Sequence, residues 1–173
     1  AFSDKEYWKK VILIAKHTTV NRATRALTIM GRKEGELVET AQYFYPMMQT
    51  ADIFHLNADI CQLGLDQRRA CILSRELGPK LGWWKPVVVS HHMLMGLEGA
   101  KQPEGYETSK EMDVEISSNM SKSKPQTAIF VHDSPDEIKK KINSAFCPEK
   151  VVEGNPVLEY SKYLVFKKFK SMK

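Results

Sequence analysis

Two short apolar runs on either side of one helical repeat constrain this chain more than any other feature in it. "ADICQLG" (58–64) is brief, apolar and closed by Gly64, and reads as a buried strand. "DQRRACILSRELGPKLG" (66–82) follows with helical period and ends on Gly and Pro, and "KPVVVSHHML" (85–94) supplies a second buried strand. Strand, helix and strand in that order make a crossover unit, which closes with a right-handed connection and builds a parallel sheet. The fold class is therefore α/β.

The segments before this unit are helical. Ser3 followed by Glu6 has capping-box spacing and introduces "YWKKVILIAKH", a helix expected to end near His17. Thr18 or Thr19 caps the next, "VNRATRALTIM", which Gly31 stops. "GELVETAQYFYPMMQTADIFHL" (35–56) then reads as helix, with Pro46 either kinking it or opening a fresh first turn. From Met95 to Pro125 the chain is rich in Gly, Lys, Glu and Ser, and a loop this long inside a compact domain is usually functional or disordered. Helical signals resume beyond it: Ser134, Pro135 and Glu137 form another capping box, and Asn155 with Pro156 repeats the start signal. A domain boundary is expected near residue 133, giving segments 1–133 and 134–173.

Composition narrows the setting. The longest apolar runs, "VILIA" and "PVVVS", fall far short of the roughly twenty residues of a membrane span, and the first residues lack the basic and apolar regions of an export signal. No membrane association is expected. Cys61, Cys71 and Cys147 are odd in number, lack metal-ligand spacing and sit in apolar or helical contexts, so they read as reduced packing thiols and a cytoplasmic setting follows. Adjacent strand residues point to opposite faces, so His91 and His92 read as structural and no metal site is expected. A formal charge of +5 and a pI near 9.0 suit a polyanionic partner such as RNA.

Three places invite chemistry. On a helix, Tyr45, Gln49 and Asp52 project from one face and Ile53 and Leu56 continue the stripe. Polar groups at core spacing either hydrogen-bond one another or meet a ligand. The turn "LGLDQRR" (63–69) lies at the carboxyl end of the first strand, where ligands bind in open α/β sheets. Gly64 there lets a ligand approach the backbone, Asp66 offers two acceptors to a ribose diol, and Gln67 both donates and accepts. The same residues also suit a plain glycine turn with Asp66 as helix cap. In "NMSKSKP" (119–125) lysines alternate with serines, a composition that wraps phosphates and is equally common in solvated loops.

"MSKSKP" resembles the Lys-Met-Ser-Lys-Ser signature of class I aminoacyl-tRNA synthetases, and "YPMMQTADIF" and "LGLDQRRA" are similar to the tyrosine-site segments of the archaeal and eukaryotic-type tyrosyl-tRNA synthetases. "EGNPVLEY" is similar to the helical region that follows in that family, and the resemblance runs in the family's order from about residue 5 to about residue 166. It implies a partial Rossmann-like parallel sheet with a helical dimerisation insert, then the start of an α-helical domain on the anticodon-binding side. Tyr45, Gln49 and Gln67 would hold the substrate ammonium, Asp52 would meet the phenol hydroxyl, and Ile53 and Leu56 would flank the ring. Gly64 and Asp66 would serve the adenylate ribose. Met120, Ser121, Lys122 and Ser123 would carry catalysis over the triphosphate, with Lys124 beside them on ATP. Arg25 and Arg68 would meet tRNA.

The implied activity is that of a tyrosine–tRNA ligase: ATP-dependent formation of tyrosyl adenylate, then transfer to tRNA(Tyr). ATP, as substrate, brings Mg²⁺; no tightly bound cofactor is implied. The partners would be L-tyrosine, ATP, tRNA(Tyr) and, around residues 18–44, a second copy of the chain. Two departures stand out: Asn119 replaces the signature's first lysine, and "AKQPEGYETSKEMDVEISS" (100–118) lengthens the approach to it. The family's first strand and adenosine motif find no counterpart here, so the chain is expected to be a portion that is inactive alone. The alternatives are a split or paralogous RNA-binding module without catalysis, and a tryptophanyl-tRNA synthetase relative.

Overall fold

The computed structural model describes residues 3–27, 39–100 and 118–171. The chain divides into two compact units, Ala1–His91 and His92–Lys173. The boundary expected near residue 133 falls inside the second.

The first unit opens with α1 (Lys5–Lys16), capped by Asp4 and not by Ser3. Asp4 Oδ1 accepts from the amides of Glu6 and Tyr7 at 2.9 and 3.1 Å, so one carboxylate meets two otherwise unpaired donors. The helix ends on His17 as its spacing suggests. Thr19 caps α2 (Val20–Ala26) by accepting from the amide of Arg22, while the stop expected at Gly31 lies outside the described residues. A 3₁₀ turn, Thr40–Tyr43, leads into α3 (Phe44–His55). Pro46 sits in the first turn of α3, where a missing N–H costs no hydrogen bond; it opens the helix.

Then come β1 (Ile60–Gly64), a 3₁₀ turn at Leu65–Gln67, α4 (Arg68–Lys80) and β2 (Val87–His91). The strands are parallel, with Ile60 opposite Val87 and Gly64 opposite His91. α4 passes through Gly78 and Pro79 and ends only before Gly82, whose φ of +75° suits a residue without Cβ. Gly78 answers a different need, because a Cβ there would lie 2.3 Å from the carbonyl oxygen of Trp84. The core joins Tyr7, Val11 and Ile14 of α1 to Met47 and Ala51 of α3 and Leu73 and Leu77 of α4. Phe54 closes one end of α3 against the Trp83 and Trp84 rings.

The strands are not the buried elements that their composition suggests. Cys61 is buried, but Ile60 is 67% exposed, Val87 52% and Val89 48%. A parallel pair has two faces to cover. Among the described elements α4 packs on it, and Ile60, Val87 and Val89 are left exposed.

The second unit contains an antiparallel bridge between Met95 and Asn119, then α5 (Pro135–Asn143) and α6 (Pro156–Tyr160). A π-helical turn, Ser161–Val165, continues α6 to Lys168. The Ser134–Glu137 capping box forms in both directions, and the Asn155 side chain accepts from the amides of Val157 and Leu158. Lys141 is nearly buried. It donates to Asp133 Oδ2 at 2.6 Å and to the Ala128 carbonyl at 2.9 Å, and lies over the Phe130 ring. His92 pairs with Glu159 at 2.9 Å and stacks on Tyr163.

All three cysteines are free. Burial pushes the Cys61 thiol up and that of Cys71 to about 11. Cys147 is exposed, against the expectation of a packing thiol, because it lies in the irregular surface segment after α5. Among the described residues no helix is long and apolar enough to cross a membrane.

Candidate functional site

α3 carries two interleaved stripes, and the more apolar one, with Thr50 as its polar member bonded to the Pro46 carbonyl, faces the core. Met47, Thr50, Ala51 and Phe54 are buried, whereas Tyr45 is 46% and Leu56 73% exposed, Asp52 is exposed and Gln49 half-buried. The polar stripe therefore forms an outer wall of the unit; Ile53, buried beside it, is the one member shared with the core. This resolves the puzzle of polar groups at core spacing. The same 3.6-residue period generates a second face, and hydrophobic burial selects the more apolar face, where the Thr50 hydroxyl is satisfied within the helix.

Where this wall meets the turn after β1, the side chains form a chain of hydrogen bonds. Gln49 Nε2 donates to Gln67 Oε1 at 3.0 Å, and Gln67 Nε2 donates to Asp66 Oδ2 at 2.9 Å. Asp66 does not cap α4, since no side chain caps that helix or the 3₁₀ turn before it. At the other end, Gln49 Oε1 is buried without a hydrogen-bond partner among the described residues. Such an acceptor costs about 1–3 kcal/mol. A group with N–H donors brought to that oxygen recovers the loss. Gly64 takes a φ of −60°, open to any residue, so the backbone there demands no glycine.

At the far end of the stripe, Tyr7 of α1 donates its phenol to Asp52 Oδ1 at 2.9 Å. Its ring is 4% exposed and meets His55 edge-on at 5.2 Å. Burial, then the hydrogen bond and charge of Asp52, push the Tyr7 phenol well above its usual range. Sequence reasoning passed over Tyr7 because it reads as one more residue on an apolar helix face, and its partner lies 45 residues away. No local spacing reports such a pair.

The second unit carries the serine–lysine loop. The Ser121 carbonyl accepts from the amide of Lys124 at 3.1 Å and the Ser121 hydroxyl from the amide of Ser123 at 3.3 Å, a compact turn with Met120 half-buried before it. Lys124 Nζ lies 3.0 and 3.2 Å from the two oxygens of Glu98. Lys122 is exposed, and no hydrogen bond or ion pair engages it among the described residues.

The two arginines are at the surface of the first unit. Arg25 Nε donates to Asn21 Oδ1 at 3.2 Å and its carbonyl accepts from Arg69, while Arg68 begins α4 and is exposed. Among the described residues no group of three or more His, Cys, Asp or Glu is placed to hold a metal ion.

Comparison with known proteins bears on this geometry. The family model described as tRNA synthetases class I (W and Y) matches residues 2–103 and 112–172. The tyrosine–tRNA ligase of Pyrococcus furiosus is 47% identical over 173 residues, covering 94% of this chain and 46% of the relative. The crystal structure of tyrosyl-tRNA synthetase from Pyrococcus horikoshii complexed with L-tyrosine superposes with a TM-score of 0.83 at 41% identity, covering 96% of this chain and 47% of that one. The tryptophanyl-tRNA synthetase of Aeropyrum pernix shares the fold at a TM-score of 0.58 and 21% identity, over 86% of this chain and 37% of that one. The chain thus spans about half the length of these tyrosine-specific relatives.

Proposed function

Because the chain belongs to the class I tRNA synthetases of the tryptophan and tyrosine branch, we propose that it forms the tyrosine-pocket wall and the signature loop of a tyrosine–tRNA ligase. The observation that carries this reading is the buried, unpartnered Oε1 of Gln49. An amino acid's ammonium group is the donor that such an acceptor lacks.

In this reading Tyr45, Gln49 and Gln67 hold the ammonium. Asp52 accepts from the phenol, with Ile53 and Leu56 beside the ring. Gly64 and Asp66 receive the adenylate ribose. The tyrosine carboxylate attacks the α-phosphorus of ATP, forming the mixed anhydride tyrosyl adenylate as pyrophosphate departs; the tyrosyl group then passes to tRNA(Tyr). Met120, Ser121, Lys122, Ser123 and Lys124 stabilise the charge that gathers on the departing phosphates, so positioning and electrostatics carry the reaction without a covalent enzyme intermediate. Mg²⁺ enters with ATP as part of the substrate. Arg25 and Arg68 contact the tRNA, the region around residues 18–44 meets a second subunit, and the ligase works in the cytoplasm. Residues 1–133 complete the catalytic domain and 134–173 begin the helical domain.

Asp52→Ala in the full-length ligase tests the pocket. Loss of the phenol's acceptor should lower kcat/KM for tyrosine and narrow its advantage over phenylalanine, because phenylalanine never satisfied that acceptor. An unchanged ratio removes Asp52 from the site.

A further inference from the structure

We propose that Asp66 is a positioning residue for amino-acid recognition: it fixes the polarity of the Gln67–Gln49 pair so that the pocket presents an acceptor to the substrate ammonium. The inference rests on the reading of Gln49 as an ammonium contact and goes beyond the ribose role of Asp66.

The two ends of a glutamine amide have nearly the same shape and opposite hydrogen-bonding sense, so packing alone does not decide which way it points. A carboxylate decides, because it only accepts. Asp66 Oδ2 lies 2.9 Å from the Gln67 amide and therefore draws Nε2 toward itself. Gln67 must then turn Oε1 toward Gln49, 3.0 Å away, and Gln49 must answer with Nε2. The remaining end of Gln49 is the buried oxygen without a partner. Two amides have transmitted the sense of one carboxylate from the turn after β1 to the wall of α3. With the relay reversed, Gln49 would turn its NH₂ to a cation, which offers it only further donors.

Asparagine at position 66 keeps the size and removes the rule, since its side chain either donates or accepts. The test measures binding to the full-length ligase without ATP, so that no ribose contributes. Labelled tyrosine is followed by equilibrium dialysis, and 3-(4-hydroxyphenyl)propionic acid, tyrosine without its amino group, by competition. Asp66→Asn should weaken tyrosine about tenfold and leave the deamino analogue within about twofold. Equal weakening of both ligands would mean that Asp66 shapes the pocket generally, and unchanged tyrosine affinity would confine it to ATP; either result overturns the inference. Gln49→Leu, which deletes the acceptor, separates the two layers. If it spares the preference for tyrosine over the analogue, the ammonium reading itself fails. If it abolishes that preference while Asp66→Asn does not reduce it, only the polarity relay fails.

Discussion

The phenol of Tyr7 donates to Asp52 Oδ1 at 2.9 Å and so ties α1 to the outer face of α3. With its titration driven well above the usual range by burial, the Tyr7 hydroxyl stays a donor throughout neutral pH. One carboxylate oxygen is thereby held, and the other is left to a second donor. Tyr7→Phe keeps the ring and its packing but releases Asp52. In the full-length ligase we expect a several-fold rise in the tyrosine KM and a narrower preference over phenylalanine, with a stability loss of about 0.5–1.5 kcal/mol. Steady-state kinetics with both amino acids check this; an unaltered preference would make Tyr7 a packing residue only.

The open sheet carries a second expectation. Ile60, Val87 and Val89 are about half exposed or more, and the chain covers 46% of the Pyrococcus furiosus ligase. Both facts fit a pocket with one wall present. The 173-residue chain by itself should show no tyrosine-dependent exchange of labelled pyrophosphate into ATP. Exchange well above background from protein of verified mass would overturn this.

What sequence reading recovered, and what it missed, has a physical pattern. The crossover unit was legible because a short β-branched run and a 3.6-residue repeat differ in period, and the caps at Thr19, Ser134 and Asn155 because capping is local chemistry. Asp4 displaced Ser3 because two acceptors of similar reach stood side by side. Helix α4 ends at Lys80, inside its expected segment, but the need for Gly78 beside Trp84 was not legible, because that contact joins residues that pattern does not connect. The segments of the candidate site were visible through resemblance. The Tyr7–Asp52 bond and the Gln49–Gln67–Asp66 relay were not, since each joins side chains from different elements.

The Lys141–Asp133 pair predicts acid sensitivity in the second unit. The hydrogen bond from Lys141, then that from the Phe130 amide, hold the Asp133 carboxyl below its ordinary value. The folded chain therefore binds fewer protons here than the unfolded one in acid. This contribution is complete above the ordinary carboxylate pKa of about 3.9 and fades as the pH falls through the lower folded value. Urea midpoints of the 173-residue chain, followed from neutral pH into acid, should fall more steeply for the parent than for Asp133→Asn. Parallel curves would show that the pair does not couple folding to protons.

The two lysines of the serine–lysine loop differ in their partners. Lys124 rests on Glu98 at 3.0 Å in a pair whose side chains are 55% and 36% exposed. An exposed pair of this kind is worth about 0–1 kcal/mol, so a triphosphate competes for Lys124 at little cost. Lys122 has no such partner to leave among the described residues. If its ammonium meets charge that grows as pyrophosphate departs, its effect belongs to the transition state and not to ground-state binding. Lys122→Ala in the full-length ligase should then slow adenylate formation by about 10–100-fold, in the range of a lost electrostatic contact, while tyrosine affinity stays within about twofold. Lys124→Ala should act chiefly on the ATP KM, and Glu98→Gln, by freeing Lys124, should lower that KM or leave it unchanged. Pre-steady-state adenylation with separate measurement of tyrosine binding resolves these quantities. Equal losses of rate and tyrosine affinity on removing Lys122, or no loss in either, would reduce the loop to a solvated tether.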